Sequence, residues 1–216
     1  MPLPKKSLAH QISLLVLLIL FCGACQSFSP RPSEKERSLP SLESVVVIGF
    51  QTTVSEAWVS EKAVNIMTAK LYEGVQKKGG YELVSPRQAK GVYSSLMSSD
   101  ADRSQFEVFQ KMGQAFSADA LLVGNLYRWR ERVGSDRGVD VPASVAFEIS
   151  LIRPEDGAVL WRERFDKTQK SLSENLLEWN TFVRGRGRWM TAEELAELGL
   201  EDMLSRMPIG GNAEEE

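Results

Sequence analysis

The chain has 216 residues, with 26 Lys and Arg against 29 Asp and Glu, a formal net charge of −3 at pH 7. So small an acid excess leaves no electrostatic footprint for nucleic acid. The one histidine, His10, and both cysteines, Cys22 and Cys25, lie in the first 25 residues, so the rest of the chain cannot build Ser-His-Asp or Cys-His nucleophiles, or zinc sites on imidazole or thiolate. Two-carboxylate catalysis or a hard-cation site would still be open to it. Yet no D-x-D-x-D loop, G-x-x-x-x-G-K-[ST] or G-x-G-x-x-G run occurs.

The chain begins with a basic pair, Lys5 and Lys6, and then an apolar run over 12–21 that only Ser13 interrupts. That run is too short to span a bilayer as a helix, which takes ~20 residues. A basic start, a short apolar stretch and small residues form a secretory signal peptide. The run ends in Cys22-Gly23-Ala24-Cys25. A redox C-x-x-C needs a strand before it and a helix after it, whereas here an export sequence precedes it and "QSFSPRPSEKERSLPSLE" follows. The ending resembles a bacterial lipobox, in which small residues precede the cysteine that receives diacylglycerol. Gly23 and Ala24 match, and Cys22 stands where leucine is usual. The resemblance implies a lipoprotein signal peptide over 1–24, acylation with palmitate-type chains at Cys25, and loss of Cys22. The alternative is an uncleaved signal anchor. Gln26 after the lipidated cysteine implies sorting to the outer membrane, facing the periplasm, where Asp would imply retention at the inner membrane. The mature chain would carry a formal charge of −5.

Residues 25–43 are rich in Pro, Ser and charge and read as a flexible tether, which at full extension reaches ~60 Å. A globular domain over 44–208 follows, and an acidic tail over 209–216. "SVVVIGF" predicts a strand covered on both faces. Ser60 caps a helix whose buried stripe is Ala63, Met67, Leu71 and Val75, ended by Gly79-Gly80. "YELVS" is a second strand, and Ser85-Pro86 starts a short helix. The next helix, 103–116, carries Phe106, Phe109, Met112 and Phe116 as its expected core stripe. A third strand over 118–133 leads through a loop into 143–153, where Val145, Phe147, Ile149 and Leu151 share a face. "PEDG" makes the turn into the return strand, 158–169, with Val159, Trp161 and Phe165 on one side. Two capping boxes, Ser171/Glu174 and Thr191/Glu194, start two last helices, the second with Leu195, Leu198 and Met203. The fold class is α/β (α+β): a single domain of order β-α-β-α-α-β-β-β-α-α, its mixed sheet covered by helices and ending in an antiparallel meander.

The series "SVVVIGF", "GYELVSP", "GQAFSADALLVGNL" and "EISLIRPEDGAVLWRERF" resembles the domain shared by curli-secretion lipoproteins, penicillin-binding-protein activator lipoproteins and the amino-terminal domain of the Tol–Pal β-propeller protein. It covers 44 to about 177. The resemblance implies action by protein–protein contact or by oligomerisation, with no catalytic residue and no metal or cofactor. Of the matched residues, Asp119 is placed to pin a helix-to-strand turn, Gly124 marks a bulge or a close backbone approach, Gly157 supplies a positive φ, and Trp161 is expected in the core.

Two stretches are candidate partner-binding surfaces. In "NLYRWRERV", strand alternation puts Arg128, Arg130 and Arg132 on one face and Tyr127 and Trp129 on the other; Arg and aromatic residues are common interface anchors. In "VRGRGRWM", Arg184, Arg186 and Arg188 precede Trp189 and would suit phosphates or an acidic partner. Both stretches also read as ordinary solvated faces. The chain is thus expected to be a non-enzymatic envelope lipoprotein of binding or assembly type, bound to the membrane by its lipid and to an envelope protein or a second copy. Two alternatives stand beside it: a subunit of an outer-membrane secretion pore, and a cell-wall glycan hydrolase using Glu148 and Glu163. The lipobox makes a direct prediction. Radiolabelled palmitate should enter the wild type and Cys22→Ala but not Cys25→Ala, and equal labelling of Cys25→Ala would refute the assignment.

Overall fold

The β-branched run that opens the domain forms β1 (Ser44–Gln51) in a computed structural model that describes residues 42–52, 59–98, 104–170 and 188–208. The order continues as α1 (Glu61–Lys78), β2 (Glu82–Val84), α2 (Pro86–Ser98), α3 (Gln105–Phe116) and β3 (Ala120–Arg130). A small hairpin of β4 (Val133–Gly134) and β5 (Val139–Val141) comes next, then β6 (Ser144–Ile152), β7 (Val159–Thr168) and α4 (Ala192–Ser205). The expected helix after Ser171 lies outside the described residues.

Five strands form one mixed sheet in the order β2-β1-β3-β6-β7. β1 runs parallel to β2 and β3, and β3, β6 and β7 form the antiparallel meander. The loop between β3 and β6, which sequence alone leaves unstructured, holds the two-stranded β4-β5 sheet.

Local chemistry explains the helix boundaries. Ser60 Oγ accepts from the Ala63 amide, and Gly79 closes α1 at φ 73°. Ser104 with Glu107, and Thr191 with Glu194, complete capping boxes on α3 and α4, each of which satisfies two otherwise orphaned amides.

Helices pack on both faces of the sheet. On one, α1 and α4 bury Val45, Val47, Phe50, Met67, Leu71, Leu122, Phe147, Ile149, Leu195 and Met203. Phe147 sits between Phe50 and Phe165, with ring centroids at 5.7 and 5.2 Å. Such ring pairs add ~0.5–1.5 kcal/mol each beyond their burial. On the other face, α2 and α3 bury Val46, Val108, Phe109, Met112, Leu121 and Val123.

The expected stripe of α3 needs correction. Its buried set is Val108, Phe109, Met112 and Gly113, while Phe106 is 43% exposed and Phe116 only partly buried. Phe106 lies in the first turn, where its ring rests against the hairpin at Gly157. Val159 is also exposed, because it follows that hairpin turn directly, and Trp161 is half-buried.

Glycine sets two close approaches. Gly49, at φ 93°, sits where the β1–β3 register shifts, and Thr68 of α1 packs against its bare Cα; the Phe50 amide donates to Thr68 Oγ1 at 2.8 Å. At Gly124 a Cβ would lie 2.6 Å from the Phe50 ring, the close approach expected there. Asp119 ties the layers together, its Oδ2 accepting from the Glu43 and Ser44 amides, both at 2.9 Å. Gly124→Ala must displace Phe50 and should destabilise by about 1–3 kcal/mol. Gly91→Ala, in open space on α2, should be neutral or stabilise by about 0.5–1 kcal/mol. Equal urea midpoints for the two variants would contradict this packing.

Candidate functional site

The second face of the sheet is only half covered. Among the described residues, α2 and α3 pack over Val46, Ile48, Leu121, Val123 and Ile152, at the end where β1 and β3 begin. Beyond the row joining Val123 and Ser150, no helix among the described residues packs on β3, β6 and β7 on this face.

The middle strand of this open area, β6, contributes Ser144, Ala146 and Ser150, all small and almost fully buried. They are buried beneath long side chains from the flanking strands. Arg128 Nε donates to Ser144 Oγ at 2.8 Å, and Arg162 Nε donates to Ser150 Oγ at 3.1 Å. Arg128 also donates to Asp166, and Arg162 lies 3.3 Å from Glu148. Arg164 stands over the Tyr127 ring, 5.3 Å from its centroid, and 3.7 Å from Asp166. Gln51 Nε2 donates to Asn125 Oδ1 at the margin. Arg130, opposite Ser144, is exposed.

The face therefore gathers four arginines, Arg128, Arg130, Arg162 and Arg164, around two carboxylates, Glu148 and Asp166, and one phenol. Partial burial, then Glu148, push the Tyr127 phenol above its ordinary range, against the pull of Arg164 and Arg162, so it stays protonated at neutral pH. Arg162 and Arg164 are 53% and 59% exposed. Exposed ion pairs of this kind contribute ~0–1 kcal/mol to stability; their effect here is to tie the arginine heads to neighbours on the same face.

Alternation in β3 fails at one point. The β3–β6 register shifts between Leu126 and Arg128. The extra residue lets Tyr127 join Arg128 on the open face, while Trp129 packs into the α1/α4 core. The strict separation of aromatics from arginines expected from sequence does not hold. Arg162 and Arg164 were missed because only the apolar side of "WRERFDK" was read. Their i, i+2 spacing in a strand would have placed them on a common face.

The other predicted residues lie elsewhere. Arg132 donates through Nη1 to the Trp189 carbonyl, and the Trp189 amide donates to the Asp136 carbonyl at 2.9 Å. Gln169, buried at the end of β7, accepts from the Met190 amide at 2.7 Å and donates to the Arg188 carbonyl at 2.9 Å. Glu131 Oε1 accepts from the Ala192 amide at 3.0 Å. This node clamps 188–192 to the strand ends and starts α4. Arg184 and Arg186 lie outside the described residues.

The paired acids of the hydrolase alternative fall on opposite faces. Glu148 pairs in register with Arg164, and Glu163 with Ile149; since neighbours in a strand point to opposite sides, the sheet lies between the two carboxylates. Glu163 accepts twice from Arg206, at 3.2 Å each. They cannot flank one glycosidic bond.

No family model and no curated protein matches the chain. Among solved structures it is similar to the PelC dodecamer from Paraburkholderia phytofirmans, at 14% identity over 80% of this chain and 94% of that one, with a TM-score of 0.48. It is also similar to lipoprotein GNA1162 from Neisseria meningitidis, at 15% identity over 66% and 92%, TM-score 0.41, and to the LpoB C-terminal domain from Escherichia coli, at 15% over 60% and 85%, TM-score 0.40. All three scores fall short of 0.5, and the functional reading rests on the chain's own residues.

The α4 node has a pH signature. Partial burial, the largest single influence on Glu194, pushes its carboxyl up; the Thr191 amide and the Arg188 guanidinium together outweigh that and hold it below its ordinary range. A depressed carboxyl stabilises the fold above its unfolded value and loses that contribution as pH falls through the folded value. Glu194→Gln should therefore lower the melting temperature at pH 7 and flatten its decline between about pH 5 and 3. An unchanged acid profile would show that this carboxylate does not hold the node.

Proposed function

We propose that the chain is a lipid-anchored protein of the bacterial cell envelope, held through Cys25 to the outer membrane on its periplasmic side, and that its role is to bind or assemble envelope machinery without catalysis. The observation that carries this reading is the open sheet face, where Arg128, Arg130, Arg162 and Arg164 are gathered beside Tyr127 on a rigid support. Arg and Tyr are enriched among the few residues that supply most binding energy at interfaces. A sheet surface with oriented arginine donors suits a macromolecule better than a small substrate.

Topology supports the same reading. Asp119 fixes the chain's point of entry, Glu43 and Ser44, beside the start of β3. Arg128 and Arg130 sit at the far end of β3, about 30 Å away at ~3.3 Å per residue. Arg128 and Arg130 thus lie at the opposite end of β3 from the point where a lipid tether would join the domain.

The test uses two exposed residues. Arg130→Ala with Arg164→Ala should shift stability by no more than about 0.5 kcal/mol, as exposed substitutions do. Loss of interface arginines should weaken capture of the partner, crosslinked in intact cells and identified by mass spectrometry, by about 2 kcal/mol or more. Full recovery of the same crosslinked partner by the double variant would overturn the assignment of this face.

A further inference from the structure

We infer that the occupant of the open face is an extended acidic protein segment with carboxylates at alternate positions, laid along β7. The inference rests on the binding role proposed above and deepens it by naming the partner's chemistry. On β7 the residues facing the open side are Arg162, Arg164 and Asp166, opposite Ser150, Glu148 and Ala146 in register. Their spacing is that of alternate residues in a strand, about 6.6–6.8 Å. An extended segment carries its own alternate side chains at the same interval. Two acids at alternate positions would therefore meet Arg162 and Arg164 together, and the side chain between them would face solvent.

Every cation that the described residues place on this face is an arginine. A guanidinium offers a planar fork that matches a carboxylate with two parallel hydrogen bonds. Arg162 is held at Nε by Ser150 and Glu148, and Arg128 at Nε by Ser144 and at Nη2 by Asp166; a partner carboxylate would engage the exposed Arg162 head directly and would compete with Asp166 for Arg128. Four arginines against Glu148 and Asp166 leave a net positive face on a chain that is acidic overall. Charge complementarity therefore selects an acidic partner. An anionic membrane is less well matched, because its headgroups have no fixed spacing to meet arginines set at strand intervals.

Asp166 is an internal competitor. Its two oxygens pair with Arg128 and Arg164, the groups a partner's carboxylates would engage. Replacing it with the neutral amide removes one negative charge and releases both arginines. A gain of affinity from Asp166→Asn is thus specific to this site, and misfolding could not imitate it.

The experiment measures binding of two fluorescent decapeptides to the full lipidated chain in detergent, at low salt and at 0.5 M salt. One peptide alternates Glu with Thr, and the other has the same composition with its Glu residues contiguous. The alternating peptide should bind roughly tenfold more tightly than its isomer, and Arg162→Gln with Arg164→Gln should remove most of that preference. Asp166→Asn should tighten binding several-fold, and high salt should weaken it, since exposed charges are screened over ~8–10 Å. The inference is overturned by equal affinity for the two isomers, by Asp166→Asn weakening binding or leaving it unchanged, or by phosphatidylglycerol vesicles displacing the peptide as effectively as unlabelled peptide does. If the isomers bind equally while the Arg130/Arg164 variant still loses its cellular partner, the partner chemistry is wrong and the binding role stands. If the alternating peptide is preferred but that variant keeps its partner, the binding role fails.

Discussion

One extra residue in β3 decides what the open half of the sheet presents. Up to Leu126, β3 pairs with β6 in strict alternation, and from Arg128 onward it does so again, one position out of step. A shift of one residue flips every later side chain to the other face. Without it, Trp129 would leave the core and Arg128 would point into the layer filled by α1 and α4. With it, Trp129 packs against that core, and Tyr127, Arg128 and Arg130 line the polar face. Three of the β6 side chains there are small, Ser144, Ala146 and Ser150, so Arg128 and Arg162 can reach over the strand to the serine hydroxyls.

Most of the fold was legible because its signals are local. The stripe of Ala63, Met67, Leu71 and Val75 is buried as its spacing dictates. Ser60, the Thr191/Glu194 box and Gly157 stand where the backbone needs a hydroxyl, a carboxylate or a positive φ. The reading failed where tertiary geometry decides. The bulge at Leu126–Arg128 leaves no mark in composition, so the face of Tyr127 was misassigned. Phe106 looked like core by spacing, but its side of α3 meets the hairpin turn instead of the sheet. The candidate site was half legible. Arg128 and Arg130 were visible as a pattern, whereas Arg162 and Arg164 belong with them only through the β3–β6 and β6–β7 registers together, which bring residues more than thirty positions apart in the chain onto one face.

The arginines of this domain serve two different ends. Arg132, Arg188 and Arg206 fix structure: they hold the Trp189 carbonyl, Glu194, and the Glu163–Asp202 pair at the two ends of α4. Arg128, Arg162 and Arg164 are oriented by neighbours that leave part of each guanidinium in solvent. The first group closes the fold, and the second presents charge at fixed spacing. Sequence alone gives Arg132 and Arg188 the same appearance as Arg128, Arg162 and Arg164, Arg repeated beside aromatics, and only the hydrogen-bond partners separate them.

The central claim is that the open arginine face is where this protein meets its partner. Site-specific photocrosslinking in intact cells tests it most directly, with the photoreactive residue placed at Arg130 on the open face or at Glu73 on the outer side of α1. The account predicts a discrete crosslinked protein from position 130 and none from position 73. A crosslinked species from position 73 alone would contradict it and move the binding surface to the helical side of the domain.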